Sequence, residues 1–139
     1  MSELAYADIK VGYEASFAKT ITEADVVNYA GLSGDFNPVH IDAEYAAQSM
    51  FKERIAHGML VAGLISAVLG TRLPGPNSIY LGQELKFTAP VKFGDTVTAH
   101  TSVTEKRDDK RIIKLRTWET NQHGDTVIDG SAVVKKIGR

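Results

Sequence analysis

The stretch that most constrains this chain runs His57-Gly-Met-Leu-Val-Ala-Gly-Leu-Ile-Ser-Ala-Val-Leu-Gly70. It carries no charged residue after His57 and is apolar on every side. Ala, Leu and Met favour helix, and the run is longer than an ordinary strand. A helix that is apolar all round is expected to be buried all round. It is too short to cross a bilayer, which takes about 20 apolar residues. Small residues recur along it: Ala62, Ser66 and Gly70 share one stripe, with Gly63 and Ala67 beside them. Such a stripe lets a sheet, a second subunit or a ligand come very close. The rest of the chain reads as wrapping for this helix, or as a site built at its N-terminal end.

Upstream, residues 9–21 mix Val11, Ala15, Phe17 and Ile21 with polar neighbours and predict a first strand. Thr22 opens a helix. Asp25 three residues on makes a capping box with Asp where Glu or Gln is usual. Gly34 ends that pattern. In Asp35-Phe-Asn-Pro-Val-His40 the proline fixes its own φ and turns Asn37 away from helical geometry, so the segment is expected to be a pinned loop. Asp42 is placed to cap a short helix over 43–49. Residues 51–56 are a basic, irregular link.

Beyond Leu73-Pro-Gly-Pro the period changes to two. Strands are expected over 79–88, 96–105, 111–121 and 127–137, separated by Pro90 with Gly94-Asp95, by the charged run 106–110, and by His123-Gly-Asp. Val97, Ala99, Thr101 and Val103 share one side, and Ile113, Leu115 and Thr117 share another, with Trp118 opposite. Consecutive strands with short turns predict an antiparallel meander. One central helix against such a sheet is an α+β arrangement.

Composition narrows the function. At 139 residues the chain is one domain, 1–139, long enough for a real core. A net charge of −1 argues against general nucleic-acid binding. With no cysteine, disulfides, thiolate catalysis and Cys-based zinc sites are excluded. The first residues lack a basic region followed by an apolar run, which predicts a soluble, cytoplasmic protein without membrane attachment.

Asp35 and His40 are the first candidates for chemistry. One reading is a turn aspartate and a histidine bonded to backbone. The other is an acid–base pair, since histidine titrates near neutrality and a nearby carboxylate can tune or orient it. With two groups and no obvious third ligand, no metal site is expected. Gly58 either permits tight packing or offers a helix N-terminal N–H to an oxyanion, such as a thioester carbonyl becoming an enolate. Ser66 either bonds back to a carbonyl one turn earlier or makes a polar contact in a substrate pocket. It lacks the Gly-x-Ser-x-Gly turn of a serine hydrolase. Leu69, three residues further on the same face, could wall an acyl chain, and Val133 or Val134 of the last strand could close it. His57 adjoins the site and reads as structural or a contact at the helix start. His100 falls in a strand and His123 in a turn. Lys106, Arg107, Lys110 and Arg111 read as a solvated hairpin, and Tyr80 as sheet packing.

Taken together, Gly34-Asp-Phe-Asn-Pro-Val-His40, Ile55-Ala-His-Gly-Met-Leu60 and Ser78-Ile-Tyr-Leu-Gly-Gln83, followed by Phe87, Pro90 and Gly94-Asp95, resemble the MaoC-like hot-dog family. Within it they resemble the short (R)-specific enoyl-CoA hydratases. The likeness runs from about Ile21 to Lys135. It implies a hot-dog fold, with an antiparallel sheet wrapped around one long buried helix. It also implies a homodimer with active sites near the subunit interface. Asp35 and His40 match the family's catalytic pair, and Gly58 the glycine whose N–H binds the thioester oxygen. Ser66 matches a polar position often found in the site. The implied substrate is a trans-2-enoyl-CoA, short acyl chains being favoured, and no metal or organic cofactor is called for. Two other functions fit the same fold: an acyl-CoA thioesterase, and a non-catalytic acyl-CoA-binding subunit. The Asp-x4-His loop favours the hydratase over the first, and an acid–base pair beside an oxyanion donor argues against the second.

Overall fold

The computed structural model describes residues 3–138. A 3-10 turn at Tyr6–Asp8 precedes strand β1 (Glu14–Thr20). Four helices follow: α1 (Glu23–Ser33), α2 (Pro38–Ile41), α3 (Ala43–Ala47) and α4 (Gly58–Thr71). Strands β2 (Ser78–Phe87), β3 (Thr96–Arg107), β4 (Ile112–Thr120) and β5 (Thr126–Lys136) complete the chain.

The five strands form one antiparallel sheet in the order β1-β3-β4-β5-β2. Only β3, β4 and β5 form the expected meander. β2 crosses to the far edge and pairs with β5, and β1 returns to pair with β3. Period-two patterning fixes which residues of a strand face inward, not which strand lies beside which. The crossing brings β2 hard against β5 at Gly130, where an added Cβ would lie 1.9 Å from the Glu84 carbonyl oxygen. No other residue fits there.

Inward-facing Val97, Ala99, Val103, Ile113 and Leu115 are buried against Val61, Leu64, Ile65, Val68 and Leu69 of α4. Fully burying each such side chain contributes about 1.5–3 kcal/mol. The sheet therefore wraps the helix, as the resemblance implied. Burial of α4 is not complete, however. Gly63, Ser66 and Gly70 are exposed, with Met59 on the first turn. Part of the small-residue stripe is thus the open face of the helix. Edge strand β2 also leaves Ile79, Tyr80 and Leu81 exposed. No described helix is long and apolar enough to cross a membrane.

Local signals set the remaining boundaries. Thr22 Oγ1 accepts from the Asp25 amide at 3.1 Å while Asp25 Oδ2 accepts from the Thr22 amide at 2.9 Å, so the Asp variant of the capping box forms. Gly34, at φ 84°, ends α1 in the left-handed region. The Asp35–His40 segment is not all loop. Asn37 is non-helical as expected, but Pro38 stands at the first position of α2, where a missing N–H costs nothing, and Asn37 Oδ1 accepts from the Val39 amide at 3.2 Å. Asp42 caps α3, which is shorter than expected. Residues 9–13 precede β1 rather than belonging to it, and β3 runs on to Arg107. Lys106 is consequently no solvated turn residue. Its Nζ lies 4.0 Å from the centre of the Tyr6 ring and donates to the Tyr6 and Ile9 carbonyls at 2.9 and 2.6 Å.

Candidate active site

Three short stretches converge at the start of α4. The first is the turn after α1. Gly34 reverses the chain, and Asp35 Oδ1 then accepts from the Asn37 amide at 3.1 Å, holding the turn and leaving Asp35 exposed. The second is α2, whose single turn buries His40. The third is the link from Ile55 to Gly58, which supplies a carbonyl, a second histidine and the first residue of α4.

His40 Nδ1 lies 2.8 Å from the Ile55 carbonyl oxygen. A carbonyl only accepts, so Nδ1 carries the hydrogen and Nε2 presents a lone pair. Arg54 Nε donates to the His40 carbonyl at 2.8 Å, and the Arg54 guanidinium is itself paired with Glu23 at the start of α1. Burial pushes the His40 imidazole below its ordinary value of 6.5, and the neighbouring His57 ring acts in the same direction. The Ile55 carbonyl and the Asp35 carboxylate oppose that change.

His57 adjoins the site, as expected, but with contacts that residue spacing does not reveal. Its Nε2 donates to the backbone carbonyl of Asp35 at 2.9 Å. Its ring lies 3.9 Å from that of His40, centre to centre, and 4.8 Å from that of Tyr29. Asp35, His40 and His57 thus form a trio, contrary to the expectation that no third donor stands near the pair. Their donor atoms lie within 4.8 Å of one another. His40 Nδ1 and His57 Nε2 are already bonded to carbonyls, which leaves His40 Nε2, His57 Nδ1 and the Asp35 carboxylate as the atoms that could ligate an ion.

Gly58 opens α4, so its N–H has no acceptor within the helix. His57, the N-cap residue, does not fill the gap, because its side chain makes no capping bond. An added Cβ at Gly58 would lie 2.7 Å from the Phe87 ring. The absence of a side chain here is therefore what lets Phe87 close over the helix start. A mostly apolar cavity of about 560 Å³ holds Asp35, His40, His57 and Gly58 together, walled by Phe87 and Val91 among others. Among the sequence candidates the structure thus gathers Asp35, His40 and Gly58. It sets the other three apart from this cavity. Ser66 is on the open face of α4, its hydroxyl without a hydrogen-bond partner among the described residues, and Leu69 and Val134 are in the core. His100 stacks on Trp118 at 4.9 Å in the sheet, away from the cavity.

Comparison with known proteins places the chain in a family. Residues 6–123 match the family described as MaoC like domain. The chain is 56% identical to an (R)-specific enoyl-CoA hydratase of Rhodospirillum rubrum, over 93% of this chain and 89% of that protein. It is 48% identical to an (R)-specific enoyl-CoA hydratase of Aeromonas caviae, over 91% of this chain and 95% of that one. Among solved structures, the unliganded R-hydratase PhaJ1 of Pseudomonas aeruginosa superposes with a TM-score of 0.92 at 48% identity, covering 96% of this chain and 86% of that one.

Proposed function

We propose that this chain, which belongs to the MaoC-like domain family, is an (R)-specific enoyl-CoA hydratase acting through Asp35, His40 and Gly58. The reaction adds water across the double bond of a trans-2-enoyl-CoA, giving an (R)-3-hydroxyacyl-CoA; the reverse is dehydration. One observation carries the chemistry. The Ile55 carbonyl engages His40 Nδ1–H and leaves Nε2 as a base, in the same apolar cavity as a carboxylate and an uncapped helix start.

A water held between Asp35 and His40 gives a proton to His40 Nε2 as its oxygen bonds to the β-carbon. The electron pair of the double bond moves through the α-carbon to the thioester oxygen. There the Gly58 N–H and the positive end of α4 stabilise the enolate. The proton then passes to the α-carbon on the same face, so one water is added and the pair is restored. Neither a metal nor an organic cofactor enters these steps.

The working unit of this proposal is a homodimer. The open stripe of α4 and the exposed apolar residues of edge strand β2 support it, because unpaired apolar strand edges are normally covered. The acyl-chain roles of Ser66, Leu69 and Val134 belong to the same proposal, with short chains preferred. Comparing Ser66→Ala with the unaltered protein on crotonyl-CoA and on longer enoyl-CoA tests the first of them: an unchanged preference removes Ser66 from the pocket.

The direct test is loss of enoyl-thioester absorbance with purified protein and crotonyl-CoA, with free thiol followed in parallel. Absorbance loss without thiol, and an (R)-3-hydroxy product accepted by a stereospecific dehydrogenase, is the expected result. Thiol release would make the protein a thioesterase, and silence on every chain length would make it a binder.

A further inference from the structure

We propose that His57 is a positioning residue that holds both members of the acid–base pair at once, its Nε2–H fixing the backbone at Asp35 and its ring backing the ring of His40. This rests on the reading of Asp35 and His40 as the catalytic pair.

His57 touches each part of the site through a different atom. Nε2 donates to the Asp35 carbonyl at 2.9 Å, so the turn that presents the carboxylate is tied to the start of α4. The ring face lies against His40 at 3.9 Å and limits where that imidazole can rotate. Tyr29 of α1 closes the other contact at 4.8 Å. The His57 backbone is the N-cap of α4, so movement of His57 is movement of the Gly58 amide.

Simple space-filling does not account for this residue. His57 is buried, and its Nδ1 has no partner among the described residues. A buried, unpaired acceptor is a cost that a phenylalanine would avoid. Nor does His57 cap its helix, as Ser, Asn or Asp would there. What histidine supplies is a flat ring with a donor at its far end.

Three variants separate the contributions. His57→Phe keeps the ring and removes the donor. His57→Gln keeps an N–H donor and removes the ring. His57→Ala removes both. Displacing reacting groups by about 1 Å costs on the order of 100-fold in rate. We expect His57→Phe to lose kcat on that scale with KM within about threefold, His57→Gln to recover part of the loss, and His57→Ala to be slowest. A folded His57→Phe protein with kcat within about threefold of wild type would overturn the proposal. So would losses in Phe and Gln variants that merely track melting temperature.

If the variants fail to fold, the unaltered protein decides. Long-range ¹H–¹⁵N correlation spectra of histidine-labelled protein should give His57 as the Nε2–H tautomer and His40 as the Nδ1–H tautomer. Finding His57 as the Nδ1–H tautomer would end the proposal. Asp35→Asn and His40→Ala are measured alongside. If they retain turnover, the acid–base reading has failed; if they are inactive while His57→Phe is fully active, only the positioning role has.

Discussion

Two groups of polar side chains lie inside this largely apolar chain, and they are treated differently. At the start of α4, His40 and His57 are both buried, and each has one ring nitrogen bonded to a backbone carbonyl. On the inner face of the sheet, Glu119 is fully buried with neither carboxylate oxygen partnered, and Thr101 Oγ1 is likewise alone. The difference comes from the backbone around them. Ile55 and Asp35 sit in irregular segments, where carbonyls are free to accept. β4 is the central strand of the sheet, with both neighbours consuming its backbone groups. A polar side chain pointing inward there has only other side chains to bond, and the core around it offers almost none. Polar groups can be buried cheaply where secondary structure is interrupted, and an active site set in a loop takes advantage of that.

The comparison breaks first, and by the largest margin, if the partnered group is dispensable. Asp35→Asn and His40→Ala should each reduce turnover by about 10³-fold or more, with circular dichroism and cooperative melting retained. Either variant working at near wild-type rate would reduce the helix-start cluster to packing.

The unpartnered group should matter for stability and not for chemistry. Burial pushes the Glu119 carboxyl up to about 8 from 4.5. The folded state then holds a proton that the unfolded state has released, so stability falls as pH rises from 4.5 to about 8 and levels off above. A tenfold difference in proton affinity between the two states corresponds to about 1.4 kcal/mol. Replacing Glu119 by Leu should therefore raise stability by a few kcal/mol at alkaline pH, flatten the dependence across that window, and leave kcat unchanged. Denaturant midpoints at several pH values read all three, and a destabilised Leu variant would mean the carboxyl has a partner after all.

His40 supplies the contrasting titration. Its pKa is lowered, first by burial and then by the His57 ring, so the neutral base persists below pH 6.5. The acid limb of kcat/KM should have its midpoint below that value. The same lowering makes the folded state bind the proton less readily than the unfolded one, so stability is lost as pH falls below 6.5. A limb centred above 6.5 would mean that Asp35 outweighs burial at this ring.

How far the sequence was legible follows the same division. The α4 run, the Asp-x4-His turn and Gly58 are local features, each fixed by residue types within one turn or loop, and they could be read without a structure. The His57 contacts could not, because they join residues 22 positions apart through a backbone carbonyl, which no side-chain pattern marks. Neither could the placing of β2 beside β5, nor the burial of Glu119. The run Ile113, Leu115, Thr117 already marked the inward face of β4, and Glu119 is its next member. That periodicity was the available signal, but a charged residue at a strand end reads as solvated unless the burial of that end is known.

The finest form of the comparison is a single pair of threonines. Thr101 and Thr117 stand opposite each other in the register of β3 and β4, and both are fully buried. Thr117 Oγ1 accepts from Gln83 Nε2 at 2.9 Å, while Thr101 Oγ1 has no partner. Valine matches threonine in shape and suits a strand. Thr101→Val should remove an unsatisfied hydroxyl and stabilise the fold by about 1 kcal/mol. Thr117→Val takes away an acceptor, but Gln83 Nε2 keeps its bond to the Glu84 carbonyl at 2.8 Å. The expected loss is therefore small, about 0.5–1 kcal/mol. Two substitutions of the same kind, across one pair of strands, should thus shift the denaturation midpoint in opposite directions. If both destabilise, Thr101 is bonded in solution, by a water or by Glu119 itself, and the core beneath α4 is more like the helix start than the side-chain contacts imply.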